Sequence, residues 1–458
     1  MHLKIDQTLQ AQRDFFNTYQ TRDIRFRINQ LKTLRRAIIA HEDQLYDAFW
    51  KDLHKSKFEA YSSEIGLVLN EISLHIRKLR SWARPERVPT DQLIHFWSTS
   101  RIFKEPYGVT LIIAPWNYPF QLLLIPLVGA ISAGNCIALK PSDYSPHITE
   151  AMSQMVSDFF SPAYISYHQG GRDVNQALFA KKWDYIFFTG SLAVGKIVME
   201  AAAKHLTPMT LELGGKSPCI VEADANLSTA AARVAWGKFL NAGQTCVAPD
   251  YLLVHRSVKD KFISLLQDSV TRFFGEDPQK SPDYCRIINK PKTERLASLM
   301  KGTTIRCGGT VNIDERYIAP TILEDVAPDH PLMQEEIFGP LLPVMEFDTI
   351  DEVINFINTK PKPLSFYHFT SSKKSEKEVL MKTTAGGGCI NDVVIQFANE
   401  NLSFGGVGNS GIGQCHGKFS FDTFSHQRSI MKKVTWVDIR LRYPPYRNRL
   451  KLIKYFMK

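Results

Sequence analysis

The chain has 458 residues, 44% hydrophobic and 22% charged, with 26 glycines and 24 prolines, which excludes collagen-like, mucin-like and disordered chains and predicts two or three domains around a sizeable core. Lys and Arg outnumber Asp and Glu, 56 to 46, which favours anionic ligands, yet no basic run interleaved with stacking aromatics occurs in the body of the chain, so nucleic acid is not an expected partner. Seven cysteines without a C-x-x-C pair argue against a disulfide framework or a metal site, and neither a signal-like segment nor the roughly 18 apolar residues of a membrane span occurs, so a cytoplasmic protein is expected.

Leu31, Leu34, Ile38, Leu45, Phe49 and Leu53, and then Ile65, Val68, Ile72, Ile76, Leu79 and Trp82, recur at intervals of three and four and predict two amphipathic helices. Pro85 and Pro89 break that pattern. The run from His95 to Lys104 has too few core residues for a central strand and reads as an exposed or intersubunit strand. From Gly108 onward, GVTLIIAP, NCIALKP and WDYIFFTG are short apolar runs that end at Pro or Gly with helix-like segments between them, the pattern of buried parallel strands. Ligands of such sheets collect outside the carboxyl ends of the strands, which points Trp116-Asn117, Lys140 to Asp143 and Thr189-Gly190-Ser191 at one crevice. After Glu212, SPCIV, LSTAAARVAWGKFL, YLLVH and VKDKFISLLQDSVTRFF alternate again and predict a second α/β unit from about Gly214. A glycine-dense stretch, Asn399 to Gly417, leads into the mixed strand HQRSIMKKVTW. The expected fold is α/β, with two doubly wound open sheets and a small bridging β element.

Three residues attract chemical interest. Cys246 in NAGQTC follows a helix directly, among small residues that leave room for a substrate; alone it reads more readily as a structural cysteine, because reactivity needs surroundings that stabilise a thiolate. Glu212 in TLELGGK is a carboxylate in an apolar strand, costly unless paired, hydrated or used as a base. Asn117 in APWNYPF stands where a strand ends and offers an amide donor to a developing oxyanion, with a turn asparagine as the alternative.

LIIAPWNYP, LKPSD, FFTGSLAVGK, TLELGGKSP, NAGQTC, EEIFGP and SFGGVGNSGIG follow one another across nearly the whole chain. With them the sequence resembles the aldehyde dehydrogenase superfamily, and its length, GGVGNSGIGQCHGKFSFDTFSH and a late YPP resemble the class 3 branch of fatty and aromatic aldehyde dehydrogenases. The resemblance implies a dinucleotide-binding domain at 1–90 and 105–213, a catalytic domain at 214–415, a bridging element at 91–104 and 416–445, and a basic amphipathic tail at 446–458. It implies that Cys246 is the nucleophile, that Asn117 and the Cys246 N–H form the oxyanion hole, and that Glu212 activates the water that releases the acid from a thioester. NAD or NADP is the implied cofactor, bound by Trp116, Lys140, Asp143, Thr189, Gly190, Ser191, Gly195, Glu336 and Phe338, with the helix after Gly190 starting near the pyrophosphate.

Two positions depart from the family pattern. Asp143 stands for the usual glutamate and is one methylene shorter, which loosens discrimination between NAD and NADP. Ser403 stands for the usual proline and makes the approach to the substrate more flexible. Tyr118, Gln396, Phe397 and Phe404 are expected to line the pocket and favour an apolar chain or ring. His416 and His426 are assigned to packing.

A homodimer is expected, because the strands near His95–Lys104 and Gln427–Trp436 present edges that need a partner. In the tail, Leu450, Ile453, Phe456 and Met457 share a face against Arg447, Lys451, Lys454 and Lys458, suited to docking on the dimer or to weak contact with anionic membrane. Three other readings fit parts of this pattern: CoA-dependent acylating oxidation, which needs no water-activating base and is disfavoured by Glu212; a thiol hydrolase or acyltransferase without nicotinamide; and a non-enzymatic binding or structural protein, disfavoured by the intact Cys246, Glu212 and Asn117.

Overall fold

The computed structural model describes residues 2–92, 95–438, 442–446 and 449–456. Helices His2–Phe16, Ile24–Ala40, Glu42–Leu53 and Gly66–Trp82 open the chain, and between the last two a short helix, Lys57–Ala60, runs into one π turn, Tyr61–Ile65. The first of the two predicted helices is thus divided at His41, where the backbone leaves helical geometry and Glu42 and Asp43 supply the acidic first turn of a new helix. His2–Phe16 has too few apolar residues to announce itself in the sequence. Its burial is settled by tertiary contacts, among them the inaccessible Gln12, whose Nε2 donates to Ile137 O at 2.7 Å.

The first sheet has six strands in the order Gly411–Ile412, Met209–Glu212, Tyr185–Thr189, Val109–Ile113, Cys136–Lys140, Ile165–Tyr167. All are parallel except the short edge strand Gly411–Ile412. The second has seven, in the order Thr304–Cys307, Thr321–Glu324, Leu341–Phe347, Tyr251–His255, Pro218–Val221, Ser365–Phe369, Gly387–Ile390, parallel but for Thr304–Cys307. Each sheet carries its own apolar core, and the near-continuous Val, Ile, Leu and Phe of the central strands follow from burial on both faces.

A third sheet pairs Glu86–Val88, Thr99–Pro106 and Ser425–Lys432 antiparallel. The strand expected from His95 begins at Thr99, and the one expected to run to Trp436 ends at Lys432. The tail forms a helix at Leu450–Phe456; Arg447, Met457 and Lys458 lie outside the described residues. Among the described residues no helix is long and apolar enough to cross a membrane.

Connectivity decides where chemistry collects. Met209–Glu212 ends the first sheet's run of parallel strands, and Pro218–Val221 begins the second sheet a few residues later. The carboxyl ends of the first set and the amino ends of the second therefore meet around Glu212.

Candidate active site

The turn before Cys246 is strained. After the helix Leu227–Phe239, residues Asn241 (φ 52°), Ala242 (φ 52°) and Gly243 (φ 73°) are all left-handed. At Gly243 a side chain is impossible, because a Cβ would fall 2.3 Å from Gly339 O; at the two non-glycine positions the conformation costs about 1–2 kcal/mol each, so the surroundings must hold it. Gln244 does so from within. Its Nε2 donates to Asn241 O and to Arg286 O, both at 3.0 Å, and its Oε1 accepts from Ile288 N at 2.9 Å.

Asn117, only 2% exposed, locks onto the same turn. Its Nδ2 donates to Gln244 O at 3.0 Å, and its backbone carbonyl accepts from Asn241 Nδ2 at 2.8 Å. An amide nitrogen carries two N–H groups, and the bond to Gln244 O uses one of them. The neighbouring Tyr118 hydroxyl and Thr245 Oγ1 are 2.7 Å apart, and Lys55 Nζ lies 4.4 Å from the Tyr118 ring centroid.

Glu212 closes its strand opposite Thr189. Neither of its carboxylate oxygens is held by a backbone N–H or a charged side chain; the polar group beside it is the weakly donating Cys415 thiol. Burial pushes its pKa well above the carboxylate range, with the neighbouring Cys415 thiol opposing that rise. Glu212 and Cys246 line one cavity of about 30 Å³, together with Thr189, Phe404, Cys415 and His416, a volume that suits one or two waters. Burial, and then the Glu336 and Glu212 carboxylates, push the Cys246 thiol up, so it rests protonated. A second chamber of about 180 Å³ adjoins the first through Gln121, Ile125 and His416 and is lined by Phe397, Asn70, Arg77 and Glu400.

Glu336 folds over Gly214, where a Cβ would meet its Oε2 at 2.0 Å, and burial raises its pKa against the pull of the Gly215 N–H, Lys216 and Lys238. Phe338 (φ 54°) meets the Trp116 ring edge-on at 5.4 Å, with Lys292 Nζ 5.1 Å from the Trp116 ring centroid. Gly190 N donates to Glu212 O at 3.0 Å, Ser191 caps the helix Leu192–Ala203, and Gly195 lets that helix approach the sheet, since a Cβ there would fall 2.9 Å from Leu213. Lys140 is buried with its pKa lowered to about 8 by desolvation, Asp143 opposing, and Asp143 leans over Gly171.

Tyr118 and Gln396 line neither chamber. Gln396 is tied to Ser365 Oγ at 3.0 Å, to Tyr367 Oη at 3.3 Å and to the Cys389 thiol at 3.0 Å. Ser403 is exposed. His426 lies on the bridging strand paired with Glu105, whereas His416, assigned to packing by sequence, stands between the chambers. Cys415 was missed: it shows no ligand spacing, and it reaches Glu212 because the edge strand Gly411–Ile412 pairs with Glu212 and Leu211 while Cys415 pairs with Phe404. Gln244 was also missed, although its place inside NAGQTC was a usable signal.

The family model described as "Aldehyde dehydrogenase family" matches residues 2–430. The chain is 47% identical over 456 residues to the 4,4'-diaponeurosporen-aldehyde dehydrogenase of Staphylococcus aureus (strain NCTC 8325 / PS 47), covering 99% of each. It is 44% identical over 447 residues to the Canis lupus familiaris protein named "Aldehyde dehydrogenase, dimeric NADP-preferring", covering 96% of this chain and 98% of that one. A solved structure described as the substrate-bound state of Staphylococcus aureus AldH superposes with a TM-score of 0.97 at 47% identity, over 99% of both chains.

Proposed function

The chain belongs to the aldehyde dehydrogenase family, whose members oxidise aldehydes to acids with NAD or NADP, and from that premise we propose that this enzyme oxidises an apolar aldehyde, aromatic or of medium to long chain, through a thioester on Cys246. The observation that carries the reading is the shared cavity: a buried Glu212 carboxylate, held by no backbone N–H or charged side chain, and the Cys246 thiol face one water-sized space.

Glu212 is the base that faces Cys246. As the thiol proton passes to water in the cavity, the sulfur adds to the aldehyde carbon and the carbonyl electrons move onto oxygen, where an N–H of Asn117 and the Cys246 backbone N–H stabilise the charge. When bound, NAD or NADP supplies the acceptor for the hydride that leaves this carbon. Cys246 then carries the acyl group as a thioester. Glu212 takes a proton from a second water; the hydroxyl adds to the thioester carbon, the C–S bond breaks to release the acid, and Glu212 returns its proton to the sulfur, the thiol proton lost earlier having gone to solvent.

The residues suit a dinucleotide. Gly190 and Gly195 bare the start of a twelve-residue helix whose N–H groups favour phosphate, and Gly214 leaves the Glu336 carboxylate beside open backbone where a ribose hydroxyl can be held. Lys140 and Asp143 serve the adenosine end, Trp116 and Phe338 the nicotinamide end. Activity with both cofactors is expected, since the short Asp143 leaves room for a 2′-phosphate. The Phe397 and Phe404 walls support an apolar substrate, and the Staphylococcus aureus relative is named for 4,4'-diaponeurosporen-aldehyde. We also read the protein as a cytoplasmic homodimer joined through the three-stranded sheet, consistent with the dimeric relative, with the basic tail docked on the dimer or touching anionic membrane.

The test is a steady-state screen of aliphatic aldehydes of rising chain length and benzaldehyde with each cofactor, on wild type and Cys246→Ser. The variant should lose at least about 10²-fold in kcat with cofactor affinity unchanged; retention of more than about a tenth of wild-type kcat overturns the assignment.

A further inference from the structure

We infer that Lys55, Glu59 and Glu64 are positioning residues: a buried ionic knot at the π turn that fixes the oxyanion loop and the nucleophile turn relative to each other. The inference rests on Asn117 and Cys246 acting as proposed above.

The knot begins with local structure. Ser56 caps the short helix Lys57–Ala60, and the chain then widens into the π turn Tyr61–Ile65. Such turns are rare single-turn features that recur at functional sites. Gly66 permits this one to close, since a Cβ there would sit 2.9 Å from Tyr61 O. Across the widened turn Glu59 and Glu64 both come under the influence of Lys55. Lys55 Nζ is 2.7 Å from Glu64 Oε1, with both side chains inaccessible to solvent.

Each carboxylate then grips a different catalytic loop. Glu64 Oε2 accepts from Phe120 N at 3.1 Å and Gln121 N at 3.0 Å, where the helix Gln121–Ala133 starts just beyond Asn117. An anion at a helix N-terminus is favourable and fixes where that helix begins. Glu59 Oε1 accepts from Asn241 N at 2.9 Å, the first residue of the left-handed run before Cys246, and from Cys285 Sγ at 3.4 Å. Lys55 supplies a third hold, its ammonium over the Tyr118 ring whose hydroxyl meets Thr245.

Stability alone does not account for the arrangement, because a buried ion cluster is often replaced by apolar residues without loss. What apolar residues cannot supply is directional acceptors for three backbone N–H groups on two loops. The oxyanion donor and the sulfur must be placed within a fraction of an ångström, and a displacement of about 1 Å can cost 10²-fold in rate.

The experiment compares wild type with Glu59→Ala, Glu59→Asp and Glu59→Gln. Three quantities are read: kcat for aldehyde oxidation, the rate at which p-nitrophenyl acetate acylates the enzyme without cofactor, and KM for NAD, with the acylated residue identified by mass spectrometry. Glu59→Ala should lower kcat and ester acylation by about tenfold or more with KM for NAD within about twofold, and Glu59→Gln, which keeps an acceptor oxygen, should recover to within about threefold of wild type. Glu59→Asp folds more readily and, one methylene short of Asn241 N, should show the same split. Acylation at the wild-type rate in Glu59→Asp or Glu59→Ala, a rise in KM for NAD as large as the falls in kcat and acylation, or no recovery in Glu59→Gln overturns the positioning role while leaving Cys246 as nucleophile. A wild-type enzyme acylated elsewhere than Cys246 removes the catalytic reading and the positioning role together.

Discussion

Glu64 and Glu212 are almost equally hidden, at 0% and 4% exposure, and burial raises the pKa of both. Their partners differ completely. Glu64 engages one oxygen with Lys55 and the other with two backbone N–H groups, so its position and direction are fixed and each contact pulls its pKa back down. Glu212 has no ammonium or backbone N–H on either oxygen, only the weakly donating Cys415 thiol beside it, and looks into a water-sized cavity with Cys246. A buried carboxyl with its lone pairs filled works as a fastener; one with them empty is left to hold and release protons. Burial does not separate the two roles, and counting partners does.

The largest expected effect falls on the unpartnered carboxyl. Glu212→Gln should slow steady-state turnover by about 10²–10⁴-fold while still forming one equivalent of reduced cofactor per active site in the first turnover; equal losses in the first and later turnovers would show that Glu212 is needed before the thioester. The partnered carboxyl should fail differently. Lys55→Met leaves Glu64 buried without its ammonium and should cost about 3–5 kcal/mol in urea denaturation, and a cost below about 1 kcal/mol would mean that the N–H groups alone suffice.

The third effect has a sign that separates the sites. Glu212 has a folded-state pKa above its unfolded value, so over the interval between them the native chain binds more protons, and wild-type stability declines as pH rises from the ordinary carboxylate range through the raised value. Glu212→Gln has no such charge. Its melting temperature should match wild type near pH ~4 and exceed it increasingly toward neutral pH; parallel melting curves across that range would contradict an unpartnered carboxyl. The smallest effect concerns Cys415, which holds the Glu212 pKa down. Cys415→Ala should move the rise of the thioester-hydrolysis rate to higher pH, lowering the rate at a fixed pH by less than about tenfold, whereas an unmoved profile would show that the thiol does not act on Glu212.

Much of the fold was legible, because buried parallel strands must be apolar on both faces and must end where polar residues resume. Val109–Ile113, Cys136–Lys140 and Tyr185–Thr189 could be read for that reason, and Glu212 stood out as a carboxylate in apolar company. The helix His2–Phe16 and the break at His41 were not, since one depends on Gln12 finding a carbonyl in the sheet and the other on a single residue leaving helical geometry. The pocket candidates divided in the same way: Phe404 and Phe397 reach the chambers, but the hydroxyl of Tyr118 found Thr245 and the amide of Gln396 found Ser365.

By itself the sequence determined the alternation of strands and helices, the seven motifs in order and the residue types able to do thiol chemistry, because periodicity and motif spacing are local properties of the chain. Tertiary structure alone decided which carboxyls are partnered. Glu59 meets Asn241, Glu64 meets the start of the Gln121 helix, and Cys415 meets Glu212 through contacts between distant segments. A lone pair is filled or left empty only when those segments pack, and that choice separates the fastening carboxyls from the one that faces the sulfur.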